Sequence, residues 1–155
     1  MVQRSDVHSS LALPYGASEI IIEQNVYDGD GNVIFSTDAN GDVTKREFDG
    51  ANRMTHMTEG FGSPVAALTT YEYDNVGNLL ERKDGKFTGN SFDEKNVYDA
   101  RYRKSSHTNG ASETTEYRYD HNDNVVRMTD PKGAGYVTTF KYDELDELIL
   151  VDETA

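Results

Sequence analysis

The stretch from Tyr27 to Phe48, YDGDGNVIFSTDANGDVTKREF, decides the fold. It opens on an aromatic-Asp pair followed by Gly, Asp and Asn, residues that tolerate positive φ or bond their own backbone in turns. An apolar outbound stretch follows from Val33 and runs to a second turn signature at Asp38, with Gly41 close behind. A return stretch then leads to the next aromatic-Asp pair, Phe48-Asp49. Two short strands and two turns are the arithmetic of one hairpin.

Working outward, the pair recurs along the chain: Tyr27-Asp28, Phe48-Asp49, Tyr73-Asp74, Tyr98-Asp99, Tyr119-Asp120 and Tyr142-Asp143, at intervals of 21, 25, 25, 21 and 23 residues. Counting the aromatic as one, the fifth place holds Gly31, Asn52, Gly77, Tyr102, Asp123 and Asp146. These are mostly turn formers, able to take positive φ. Two places later stands Val33, Met54, Leu79, Val125 or Leu148, with Lys104 the polar exception. A second mark closes the outbound stretch at Asp38, Glu59, Asp84, Asn109, Asp130 and Glu153. Glycine follows soon after, at Gly41, Gly62, Gly85, Gly110 and Gly133.

The return stretches alternate with period two, as in Thr115-Glu116-Tyr117-Arg118-Tyr119 and Thr138-Thr139-Phe140-Lys141-Tyr142. β-Branched and aromatic residues share one face and charged residues the other, the pattern of a half-buried strand. No segment carries the 3.6-residue period of an amphipathic helix. The pattern predicts an all-β fold: an open, curved antiparallel sheet of about ten to thirteen strands. Residues 15–155 form the repeat domain, with Pro14-Tyr15-Gly16 as the turn of an incomplete unit and Ser18 to Val26 as its return strand. Residues 1–14 are read as an extension, either disordered or capping the first edge. The fourth unit, where Lys104-Ser105-Ser106-His107 replaces apolar residues, is expected to be the least protected hairpin.

Composition narrows the functional classes. The chain has 155 residues, with 15 Lys plus Arg against 28 Asp plus Glu, a net charge of -13. Such a surface repels phosphate, which argues against nucleic acid and anionic membranes as partners. There is no cysteine, so disulfides, thiolate metal sites and cysteine nucleophiles are excluded. No apolar run approaches a membrane-spanning helix. The opening MVQRSDVHSSLALPYG has no signal-peptide stretch, so export would need a signal outside this chain or of another kind.

The units YDGDGNVIFSTDANG from Tyr27, YDNVGNLLERKDG from Tyr73 and YDHNDNVVRMTDPKG from Tyr119 resemble the YD repeats of the Rhs family. That family includes bacterial polymorphic toxins, shell components of insecticidal toxin complexes, and teneurins. The resemblance implies a long sheet that spirals into a hollow shell, in the toxins around a C-terminal effector. It implies a structural wall segment of a secreted or surface protein, whose partners are neighbouring repeats or that effector, with no catalysis and no cofactor. The resemblance spans about Tyr15 to Thr154, although no plug or toxin segment is visible and six units are few to close a chamber.

Candidate chemistry is sparse. His8, His56, His107 and His121 fall at unrelated repeat positions, and Ser63 and Ser91 lack a nucleophile-elbow setting. Asp28, Asp30 and Asn32, echoed by Asp120, Asn122 and Asn124, have the one-apart spacing of calcium ligands. The glycine and glutamate that an EF-hand loop requires are Val33 and Ala39 here, so turn chemistry explains these residues better. Carboxylates that recur at every turn accept backbone N–H bonds there. The Tyr-x-Tyr ladder admits a second reading, a glycan- or protein-binding platform, with cross-strand aromatic packing the simpler account. The last strand, Leu148-Ile149-Leu150-Val151, is apolar without a blunting Pro or Lys. Such an edge predicts self-association through terminal strands.

Overall fold

The computed structural model describes residues 23–85, 92–133 and 135–154, and the backbone of 4–8. The turn at Pro14-Tyr15-Gly16, the start of the first return strand, and Ser91 lie outside the described residues. Among the described residues every regular element is a strand, thirteen in all and none helical, which is the upper end of the expected number.

The chain gathers into two compact units. The first holds β1 (Arg4–His8), β2 (Glu23–Tyr27), β3 (Val33–Asp38), β4 (Val43–Phe48), β5 (Met54–Glu59) and β6 (Ala67–Tyr73) up to Tyr71, together with Asp84 and Gly85. The second runs on from Glu72 through β7 (Leu79–Lys83), β8 (Glu94–Tyr98), β9 (Lys104–Asn109), β10 (Thr114–Tyr119), β11 (Val125–Thr129), β12 (Val137–Tyr142) and β13 (Leu148–Thr154).

Within each unit every strand pairs antiparallel with its neighbour in the chain. Val26 faces Phe35 and Lys45 faces Thr58 in the first; Val97 faces Ser106 and Phe140 faces Val151 in the second. This is an open antiparallel sheet of tandem hairpins, as the period-two pattern requires. The alternation on β10 appears as read: Thr115, Tyr117 and Tyr119 are half-buried, while Thr114, Glu116 and Arg118 are exposed.

Burial is shallow. Among the described residues Ala67, Val137, Thr69 and Asn96 are the buried side chains, and no large residue is fully enclosed. A strand in a meander is covered on each face only by its lateral neighbours, so most apolar groups stay partly wet. The core is therefore thinner than a two-layer domain would have.

The closing glycines divide by role. Gly41, Gly62 and Gly133 take positive φ, whereas Gly85 and Gly110 do not. Gly85 is required for another reason: a Cβ there would overlap the Leu68 carbonyl oxygen. In the turn beginning at Asn109 the positive φ falls on Ser112, at 63°. Asn109 accepts from the N–H groups of Ala111 and Glu113, so the left-handed place is three residues after it, beyond Gly110.

Candidate functional site

The residues that repeat converge at one kind of place, the turn that follows each aromatic. In all six turns the Asp N–H donates to the carbonyl four residues on, from Asp28 to Asn32 at the first and from Asp143 to Glu147 at the last. The residue between, third after the Asp, takes the left-handed conformation in every case: Gly31, Asn52, Gly77, Tyr102, Asp123 and Asp146. Pairing slips by one residue beside the aromatic at Tyr27, Phe48, Tyr98, Tyr119 and Tyr142. A type I turn closed by a left-handed residue and a bulge has this geometry.

The Asp carboxylate holds the turn from inside. Asp99 Oδ1 accepts from the N–H groups of Arg101 and Arg103, at 2.8 and 3.0 Å. The Arg103 guanidinium then clamps Oδ2, with Nε at 2.8 Å. Asp49 is held the same way by Ala51 and Arg53, and Asp28 and Asp74 by the backbone and side-chain amides of Asn32 and Asn78. Side-chain donation from Asn32, Arg53, Asn78 and Arg103 is the leading reason these four carboxyls sit below the usual carboxylate range. Asp120 repeats the pattern with Asn122 and Asn124. In the sixth turn Asp143 accepts from Leu145 and Glu147 N–H, but Glu147 has no side-chain donor to add.

Two further contacts stitch one repeat to the next. The repeat tyrosines reach back to the first residue of an earlier outbound strand. Tyr98 Oη donates to the Leu79 carbonyl, Tyr119 to Lys104 and Tyr142 to Val125, at 3.1, 2.8 and 3.1 Å. Neighbouring turns also bond sideways. Asn32 Nδ2 donates to Asn52 Oδ1, Arg103 to the Asp123 carboxylate, and Asn122 and Asn124 to Asp146. In each, the acceptor stands at the left-handed place of the following turn. Glycine would fit that backbone with less strain, but it has no side chain to accept the bond. Arg103 also lies over the Tyr119 ring, 4.5 Å from its centre.

The eroded fourth unit forms its strand. β9 pairs with β8 over five residues and with β10 over three, and the side chains of Ser105, His107, Thr108 and Asn109 have hydrogen-bond partners. Asn96, only 3% exposed, donates to the Leu79 carbonyl and to Glu94, while its Oδ1 meets His107 Nδ1 at 3.0 Å.

The other sequence candidates are dispersed. His56 sits on β5, His107 in the network just described, and His121 in an exposed turn. His8 belongs to β1, whose side chains lie outside the described residues. Ser63 Oγ accepts from the Val65 N–H in an exposed turn. Among the described residues no three acidic or histidine side chains converge as metal ligands would. The Asp28 carboxylate is engaged by Asp30 and Asn32.

Six turns of one design, carried by consecutive antiparallel hairpins, decide the kinship. The sequence matches the family described as RHS Repeat over residues 27–64 and 98–134. Two segments of the chain match the RHS repeat.

Solved structures share the fold. The chain is similar to the TcdB2–TccC3 crystal structure without its hypervariable C-terminal region, with a TM-score of 0.65 at 15% identity over 86% of this chain and 8% of that one. It is similar to TcdB2–TccC3 itself, with a TM-score of 0.63 at 15% identity over 92% of this chain and 10% of the other. Against a Tc holotoxin pore of Photorhabdus luminescens, carrying a TccC3 point variant, the score is 0.62 at 14% identity over 99% and 10%. This chain therefore spans about a tenth of the length of the chains it resembles. None of the curated proteins matches the chain in sequence.

Proposed function

We propose that residues 15–155 are a structural length of wall in a larger secreted or cell-surface toxin protein of the RHS type, with no catalytic activity of their own. The observation that carries this is the direction of the bonding. The polar groups that recur, the Asp carboxylates, the Asn and Arg side chains and the tyrosine hydroxyls, are spent on their own turn or on a neighbouring repeat. A catalytic or ligand site would instead converge polar groups on a shared cavity. The fold shared with TcdB2–TccC3, of which this chain covers about a tenth, supports the same reading. The partners of such a wall are adjoining repeats and a C-terminal effector that the complete shell encloses.

A glycan array probed with the wild type, Tyr71→Ala and Tyr117→Ala tests the proposal. A wall segment binds no sugar, and both truncations loosen the fold, because these tyrosines are half-buried on their strands. Sugar binding by the wild type, lost in variants that stay folded, would favour a binding module in place of a wall.

A further inference from the structure

Three cations stand together in the second unit without partners. Arg118 on β10, Arg127 on β11 and Lys141 on β12 meet no carboxylate, hydroxyl or aromatic ring. Among the described residues every other lysine and arginine side chain meets one of these. Strand pairing sets Arg118 directly opposite Arg127, and Arg127 opposite Thr139, two residues before Lys141 on the same face. Like charges directly opposite one another destabilise a sheet. Arg127 Nε is also buried without an acceptor, a second cost at the same place. The repeat does not impose these cations. The place before each aromatic holds Val26, Glu47, Glu72 and Val97 in the first four units, and turns basic only at Arg118 and Lys141. Glu116 on β10 and Asp152, across from Thr139, share this face, but neither makes an ion pair with the three cations.

We infer that Arg118, Arg127 and Lys141 form a binding site for a single phosphate monoester. Such a group carries about −1.5 to −2 charges at neutral pH and three strong acceptor oxygens, which matches three clustered cations. The two guanidiniums offer planar, bidentate N–H donors, and Lys141 adds a point charge. A carboxylate brings less charge to the same three groups and binds more weakly. The net charge of -13 does not prevent binding, because at physiological salt charges beyond about 8 Å are largely screened. It does disfavour a long polyanion, whose flanking phosphates would meet Glu116, Asp152 and the acidic remainder of the surface. The ligand is therefore one phosphate group, carried by a small solute or by a phosphorylated side chain. The inference stands on these residues alone and does not depend on the wall reading.

The test is an NMR titration of the full chain with inorganic phosphate, a short capped peptide carrying one phosphoserine, and acetate at matched ionic strength. Phosphate is expected to give saturable amide shifts centred on Arg118, Arg127, Thr139 and Lys141. Tighter binding of the peptide than of phosphate assigns the group to a phosphorylated protein, and binding no tighter assigns it to a small solute. Arg118→Gln and Lys141→Gln change exposed side chains and should each weaken phosphate binding roughly fivefold. Lys45→Gln removes a cation already paired with Glu47 and should leave binding unchanged. Absent or scattered shifts, an equal response to acetate, or losses in Arg118→Gln and Lys141→Gln no greater than in Lys45→Gln would each overturn the inference.

Discussion

The Tyr119 hydroxyl donates to the Lys104 carbonyl across 2.8 Å, tying the aromatic of the fifth repeat to the strand that opens the fourth unit's hairpin. Tyr98 and Tyr142 make the same reach to Leu79 and Val125. Tyr119→Phe keeps the ring under Arg103 and removes only the hydroxyl. The expected loss is about 1 kcal/mol, a fall of roughly 2–4 °C in melting temperature. An unchanged melt would show that the latch contributes nothing net.

Alkaline pH should act on the same latches. Burial is the main reason the Tyr98 and Tyr119 hydroxyls are raised above the ordinary 10.0. The folded state therefore holds these protons more tightly than the unfolded state. Their contribution is complete below about pH 10 and is lost as pH rises through the folded value. The wild type should lose stability more steeply above that pH than a Tyr98→Phe, Tyr119→Phe double variant, as measured by denaturant melts. Identical slopes would exclude the linkage.

Acid works in the opposite sense on the turns. Donation from Asn32, Arg53, Asn78 and Arg103 lowers the carboxyls of Asp28, Asp49, Asp74 and Asp99 below the ordinary value of 3.8. Stability from a lowered carboxyl is present above the unfolded value and disappears as pH falls through the folded one. Circular dichroism should show the sheet weakening below about pH 4, with Asp99→Asn flattening that dependence. A pH-independent signal down to about pH 2 would contradict the clamp.

The left-handed places separate local strain from contact between repeats. Ser112, at φ 63° and exposed, should gain roughly 0.5–1 kcal/mol on replacement by glycine. Asp123 has a similar φ of 72° but accepts from Arg101 and Arg103. Asp123→Gly should therefore gain less than Ser112→Gly or lose stability outright. Equal gains in thermal melts would mean that the sideways bonds carry no weight.

Much of this was legible in the sequence, and the reason is local. A turn is decided by residues within five positions of one another, so the six aromatic-Asp pairs and the fifth place that takes positive φ could be read off directly. The bonds between repeats could not. Tyr119 and Lys104 are 15 residues apart, and nothing in either residue says which carbonyl a hydroxyl will meet. Asn96 in β8 gave no signal either, although its side-chain bonds to Glu94, Leu79 and His107 supply partners inside an otherwise polar hairpin. The spacing of Gly110 from Asn109 did not say which residue of that turn is left-handed; the structure puts the positive φ at Ser112.

The final strand exposes its whole length. β13 has all seven residues exposed, with Ile149 at 63%, and pairs with β12. Sedimentation should show association that grows with protein and salt concentration, and Ile149→Lys should reduce it. A wild type that stays monomeric at high micromolar concentration would rule this edge out as the contact.

The size of the native product in its source cells tests the central claim most directly. Antibodies raised against this segment would identify it after denaturing separation. The account predicts a polypeptide several times longer than these 155 residues, in which the repeats are one length of a continuous wall. A stable native product of this length alone, with no larger precursor, would contradict it.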